Sequence, residues 1–418
     1  MKALIQPLPL LAKTDLGHNG KSRHSDEISQ LRLAEKLHPL YLDNFSFLSH
    51  FDRMHGQLLL LGIKGLELSA NERHILQKVQ PGGFVLFGRN VESPQQVRAL
   101  TDSLREICDT PPLICIDQEG GRVTRTKEIG NIPPSAGQLS QADNPSAIAW
   151  HGTLTAELLI QLGCNMNLAP VLDISYDDEC DNALRGRCYG KNSQEVITNA
   201  GIFNRNMRRQ KILSCGKHFP SCGLANVDPH YKLPVVDKSK EDLLASDLLP
   251  YTALMPELNA ILTCHTHFSA LDPGEPDLPA SLSKNIITNL LRNQLGFDGV
   301  IMTDDLDMGA IINTYGRGND VKMAIQAGND MAMICHQTDT TEAALAALEE
   351  LPYAEIADSL KRIAKLKKKI PKTYPFDQKK WDKINNDIMQ LRIEVLGEEG
   401  AQNQSDHIQN SRSPVEDY

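Results

Sequence analysis

Apolar residues in this chain come in short runs that end on a polar or charged residue, and longer segments with helical spacing separate them. Eight such runs can be read: Gln57–Gly62, Gly83–Phe87, Leu113–Asp117, Met166–Val171, Ile212–Lys217, Ala260–His265, Gly299–Asp304 and Met331–Cys335. Each has the length of a strand, and their continuous apolar character is that of strands buried on both faces. The segments between them open with helix-start signals. Ser69-Ala-Asn-Glu72 has the form of a capping box, Ser93-Pro94 sets a cap before a first-turn proline, and Asn192-Ser-Gln-Glu195 repeats the capping logic. Strand and helix in alternation predict a parallel sheet with helical crossovers, and eight repeats of the unit favour closure. The fold class expected is therefore α/β, a TIM (β/α)8 barrel. No Gly-x-Gly-x-x-Gly fingerprint argues for an open dinucleotide-binding sheet.

The remaining sequence flanks that pattern. Residues 1–52 read as an N-terminal extension, polar and irregular at first, with Leu31, Leu33, Leu37 and Leu40 marking a short helical stretch. Residues 53–370 hold the barrel. Residues 371–418 begin with a linker at Pro371 and Pro375, continue with one helix over 382–398, and end in a polar, disordered tail.

Composition narrows the class. Hydrophobic residues make up 41% and charged residues 23%, a globular balance with enough apolar material for one large core. A net charge of −10 argues against a nucleic-acid partner, because a phosphate backbone selects a basic face. The one dense basic stretch, Lys361–Lys369, reads as the wet face of a helix. The cysteines are nine, an odd number, several lie inside the apolar runs, and no Cys-x-x-Cys occurs, so they read as reduced core thiols. No apolar run is long enough to span a membrane. The apolar start at Ala3–Ala12 is broken by Gln6, Pro7 and Pro9, which is unlike a signal peptide. A cytoplasmic protein is expected.

In a barrel of this kind chemistry is placed at the C-terminal ends of the strands. Those positions supply Asp117, Asp173, Lys217, His218, His265, His267, Asp304 and Asp305. Carboxylates and imidazoles facing one polar cavity are what glycosyl transfer to water requires.

Five segments sharpen this. Gly82-Gly-Phe-Val-Leu-Phe-Gly-Arg-Asn90, Ile116-Asp-Gln-Glu-Gly-Gly-Arg-Val123, Leu168-Ala-Pro-Val-Leu-Asp173, Gly216-Lys-His-Phe-Pro220 and Gly296-Phe-Asp-Gly-Val-Ile-Met-Thr-Asp-Asp-Leu306 occur in that order. Together they resemble the bacterial β-N-acetylhexosaminidases of glycoside hydrolase family 3, of the single-barrel, cell-wall-recycling type. The similarity runs from about Gly56 to Lys369. It implies a retaining exo-β-N-acetylglucosaminidase in which Asp304 is the nucleophile and forms a covalent glycosyl-enzyme. It further implies that Asp228 and His230, in Asp228-Pro229-His230, form an acid/base dyad on the loop after Lys217. Histidine suits that task because its ordinary pKa lies near neutrality. Asp117, Arg122, Arg187, Lys217 and His218 are implied as sugar contacts, with Glu119 structural.

The resemblance has departures. The family continues Lys-His-Phe-Pro with Gly-His-Gly-Asp-Thr, where this chain has Ser221-Cys-Gly-Leu-Ala225. Cys188-Tyr189 replaces a small residue plus Phe, and Asp307 stands where Ser is common. Cys215, His218, Cys222 and His230 raise the question of zinc, but their spacing fits no common finger. No metal and no organic cofactor are expected. The expected partner is a carbohydrate, a muropeptide carrying N-acetylglucosamine or a chitin fragment. A phosphorylase, or a sugar-binding protein that has lost catalysis, remain the alternatives.

Overall fold

The computed structural model describes residues 54–177, 183–225, 233–275 and 277–403. The strands are β1 Leu59–Gly62, β2 Gly83–Leu86, β3 Leu113–Ile116, β4 Gln118–Gly120, β5 Val123–Thr124, β6 Met166–Asn167, β7 Leu213–Phe219, β8 Val235–Val236, β9 Ala260–Thr263, β10 His267–Phe268, β11 Val300–Asp305 and β12 Met331–Ile334. Eight of them close into the expected parallel barrel, in the order β1-β2-β3-β6-β7-β9-β11-β12, with β12 returning to pair with β1. The other four form two short ladders outside the ring, an antiparallel β4–β5 hairpin and a parallel β8–β10 pair.

Burial explains why the strands read as unbroken apolar runs. Every residue of β1, β2, β3, β9 and β12 is buried, inward against the barrel interior or outward against the surrounding helices. Gly62 ends β1 where a Cβ would meet the Cys335 carbonyl oxygen at 2.0 Å, so only glycine lets the first and last strands close there.

One strand is shorter than the run that announces it. β6 is a ladder over Met166–Asn167 only, with an isolated bridge from Val171 to Lys217. Pro170 has no N–H to give a ladder. The Asn167 side chain supplies hydrogen bonds instead, accepting from Gln118 N at 3.0 Å and donating to Gln118 O at 2.9 Å.

The capping signals form as expected. Ser69 and Glu72 make a reciprocal capping box, Ser93 accepts from Gln96 N ahead of Pro94, and Asn192 accepts from Glu195 N. Three helices matter below: α1 Pro145–Leu162, α2 Ser193–Arg209 and α3 Gln378–Gln402, the last kinked at Gly397. α3 packs along α1 through Trp381, Ile384, Ile388 and Leu391. The basic stretch 361–369 is only partly wet. Lys361 and Lys365 are exposed, but Arg362 pairs with the buried Asp330, and Lys367 donates to Gln57 Oε1 at 2.6 Å. Burial brings the Lys367 ammonium down to about 8. Six of the eight described cysteines are buried. No helix among the described residues is long and apolar enough to cross a membrane. The expectations for residues 1–52 and for the tail beyond 403 fall outside the described residues.

Candidate active site

Parallel strands bring their C-terminal ends to one rim. β3 leads into Asp117, β7 carries Lys217 and His218, and β11 ends on Asp304 and Asp305. These line one cavity with Arg125, Arg187 and His336, against apolar walls of Phe87, Leu262, Met308 and Met333.

The charged groups are mutually paired. Lys217 Nζ donates to Asp117 Oδ1 and reaches Glu119 Oε1, each at 2.6 Å. Arg187 grips the Glu119 carboxylate with two hydrogen bonds of 2.8 Å, and Arg125 lies 3.4 Å from the second Asp117 oxygen. Burial alone would raise the Asp117 and Glu119 carboxyls. Lys217 and Arg125 beside the first, and Arg187 and Lys217 beside the second, outweigh it and hold both below the usual carboxylate range. Burial opposes the charges of Lys217 and Arg187 as well, yet the facing carboxylates keep both protonated to higher pH than usual. Such a network is rigid because each member is another's counter-ion.

His218 sits behind this layer. Its Nδ1 is 2.7 Å from Asp173 Oδ2, and its Nε2 is 3.3 Å from Arg187 Nη2. Arginine can only donate, so Nε2 accepts and Nδ1 carries the proton toward Asp173. In this tautomer both ring nitrogens of His218 are engaged by protein partners. Asp173 also accepts from His218 N and Cys222 N, which ties the start of the 221–225 loop to the strand end. Asp173, His218 and Cys222 bring ligand-type atoms within 4.8 Å of one another. The 2.7 Å separation of His218 Nδ1 and Asp173 Oδ2 is that of a hydrogen bond, so in this structure the two form an orienting pair.

Asp304 opens onto the cavity and accepts from Asp305 N at 2.9 Å. Asp305, its neighbour, is turned into the wall, where Oδ1 accepts from Asp307 N and Cys335 N and Oδ2 is 3.4 Å from His336 Nε2. Burial, and then the Asp307 charge, push the Asp305 carboxyl well above the carboxylate range. Two adjacent carboxyls thus occupy opposed settings, with Asp304 the one open to a ligand.

The strand-end rule brings Asp117, Lys217, His218 and Asp304 together with Arg187. It also selects two histidines with other tasks. His265 bonds Ser281 Oγ and the Asp305 carbonyl, and His267 bonds the Leu278 carbonyl. Arg122 is outside the cavity lining, its Nη1 3.4 Å from the Arg185 carbonyl, while Arg125 lines the cavity in its place. The β4–β5 hairpin explains this, since its turn at Gly120 and Gly121 brings the residue after β5 back over Asp117. His336 was the other omission, and a polar residue two positions past the last strand was its signal. Asp228 and His230 lie outside the described residues.

The profile of the Glycosyl hydrolase family 3 N terminal domain matches residues 33–366. The chain belongs to glycosyl hydrolase family 3. A β-hexosaminidase of Pseudomonas aeruginosa (strain LESB58) is 36% identical over 296 residues, covering 70% of this chain and 86% of that protein. The family 3 β-N-acetylglucosaminidase of Paenibacillus sp. str. FPU-7 superposes with a TM-score of 0.76 at 31% identity, over 82% of this chain and 68% of that one. A fungal multi-domain family 3 β-N-acetylglucosaminidase superposes with a TM-score of 0.77 at 31% identity over 82% of this chain, which spans 42% of that longer protein. Family 3 membership makes this protein a glycoside hydrolase, and the cavity at the strand ends is where its chemistry belongs.

Proposed function

We propose that this family 3 enzyme is a retaining exo-β-N-acetylglucosaminidase. The observation that carries the reading is Asp304, a carboxyl at the end of β11 that opens onto a cavity of charged, mutually fixed side chains. Its carboxylate attacks the anomeric carbon, forming a glycosyl-enzyme bond as the leaving-group oxygen takes a proton. Water then breaks that bond and restores the carboxylate. The resemblance assigns proton transfer to the Asp228–His230 dyad. Asp117, Lys217 and Arg125 are placed to bond sugar hydroxyls, exchanging part of their mutual pairing for the ligand, while Arg187 and His218 back them. The names of the similar proteins support N-acetylglucosamine as the sugar. The muropeptides of cell-wall recycling, in the cytoplasm, complete the proposal.

The test is nitrophenol release from 4-nitrophenyl N-acetyl-β-glucosaminide. The wild type should turn over, and Asp304→Ala should lose roughly 10⁴-fold in kcat, the scale on which removal of a nucleophile or its partners acts. NMR should find the β-anomer of the sugar released first. Formation of sugar 1-phosphate in phosphate buffer would instead identify a phosphorylase. Absence of wild-type turnover would sink the enzymatic reading, and a higher kcat/KM on chitobiose than on an N-acetylglucosaminyl-anhydromuramyl peptide would sink the proposed natural substrate.

A further inference from the structure

Helix α3 lies beyond residue 366, where the family profile ends, and no part of it lines the cavity. Its inner face nevertheless holds the backbone on which the substrate site is mounted. Asn385 Oδ1 accepts from Asn131 N at 2.6 Å, and the Asn385 carbonyl accepts from Asn131 Nδ2 at 2.9 Å. Two helical turns on, the buried Arg392 donates to Ile132 O at 2.7 Å. The same guanidinium bonds Ala401 O and Asn403 O, so it ties the end of α3 to that segment. Gly130 packs closely against the same side chain, where a Cβ would stand 2.9 Å from Asn385 Oδ1 and push it aside.

The clamped segment continues directly to the hairpin. Pro133 O accepts from Gly121 N at 2.8 Å. At Gly120, φ is 99° and a Cβ would lie 2.4 Å from Pro134 O, so the turn rests on the 133–134 backbone without side-chain padding. Glu119, counter-ion of both Lys217 and Arg187, precedes that turn, and Arg125 follows the hairpin. The path from α3 to the cavity is thus Asn385 and Arg392 to 131–132, 133–134 to Gly120 and Gly121, and the hairpin to Glu119 and Arg125.

We propose that Asn385 and Arg392 are positioning residues, through which α3 sets the hairpin carrying Glu119 and Arg125 and hence the affinity for the sugar. The alternative is that α3 merely covers the apolar flank of α1 and adds stability. The two differ in what they require of individual hydrogen bonds, because packing is indifferent to whether Asn131 N has an acceptor. The proposal rests on the proposed function only for its kinetic readout.

Four full-length proteins decide it: wild type, Asn385→Leu, Asn385→Asp and Glu394→Ala. Leucine keeps the bulk and removes the acceptor, and aspartate restores the acceptor. Glu394 bonds Asn144, away from the hairpin, so its loss loosens α3 without touching the path. Amide hydrogen exchange at Gly121 needs no turnover and reports a bond one step removed from α3. It should quicken about tenfold in Asn385→Leu, with values near wild type in Asn385→Asp and Glu394→Ala. KM for the chromogenic glycoside should follow the same order, rising severalfold in Asn385→Leu with kcat changed less. Wild-type Gly121 exchange in Asn385→Leu would overturn the proposal. So would changes that track melting temperature equally in all three variants. If the wild type does not turn the glycoside over, the functional reading fails, while the exchange data still decide the clamp.

Discussion

Glu119 shows how much of this site is made of counter-charges rather than of groups that meet the sugar. The side chain is 5% exposed and bonded to two cations, each themselves buried. Burial works against its carboxylate, and Arg187 and Lys217 overcome that cost, so the folded carboxyl titrates below the ordinary range. A depressed carboxyl stabilises the fold fully above its ordinary pKa near 4.5, and the contribution fades as pH drops below that value. Glu119→Gln removes the charge and strands both cations. It should destabilise by about 3–5 kcal/mol, the range for breaking one member of a buried ion pair, and urea unfolding at neutral pH measures it. The strand-end rule pointed to Asp304, and the family resemblance implied a structural role for Glu119. Neither gave a sign of Arg125 at the cavity, because a tight turn hides in Gly120-Gly121: linear distance gives no hint that the chain doubles back and delivers that residue.

At the scale of elements, the loop after β12 is held by a residue that departs from the family pattern. Asp307, in the β11 loop, accepts from His336 N at 2.7 Å and Gln337 N at 2.8 Å, and it pairs with Arg317, which also meets Asp320. One carboxylate therefore fixes the end of the last strand and with it the His336 wall. Asp307→Ser, restoring the residue common in the family, should lower stability by about 1–3 kcal/mol, because two backbone donors lose their acceptor and the buried Arg317 keeps only Asp320. An unchanged urea midpoint would show that Arg317 and the loop find other partners. Apolar runs located all the barrel strands, yet β6 ends at Asn167 because Pro170 and a side-chain substitute take over. Helix Asn285–Gln294 is wound with i→i+5 bonds, which no pattern of apolar spacing foretells. The basic stretch misled because charge was read without its partner: Asp330, which draws Arg362 inward, is distant in sequence.

Taken whole, the molecule buries several ionisable groups at a cost, and His151 is one that pH can reveal. His151, in the middle of α1, is fully buried against Phe203 and beneath Gly120, and burial brings its imidazole down from 6.5 to about 3. The folded protein keeps it neutral, whereas the unfolded chain takes up a proton below about pH 6.5. Stability should thus fall between pH 6.5 and 3 by about 1.4 kcal/mol per unit from this residue alone. Comparing urea unfolding of the wild type and His151→Leu at pH 7.5 and pH 5 checks it; parallel losses would place the acid sensitivity elsewhere. The barrel was legible because eight like units repeat. His151 was not, because a helical histidine announces nothing until its neighbours are known. Ring closure by β1 and β12 has a further consequence during translation. The first strand is made early but its partner is residues 331–334, so the nascent chain carries two bare strand edges until nearly the whole barrel has been synthesised. Unpaired edges of this kind favour association between chains, so late closure lengthens the time in which a growing barrel is exposed to it.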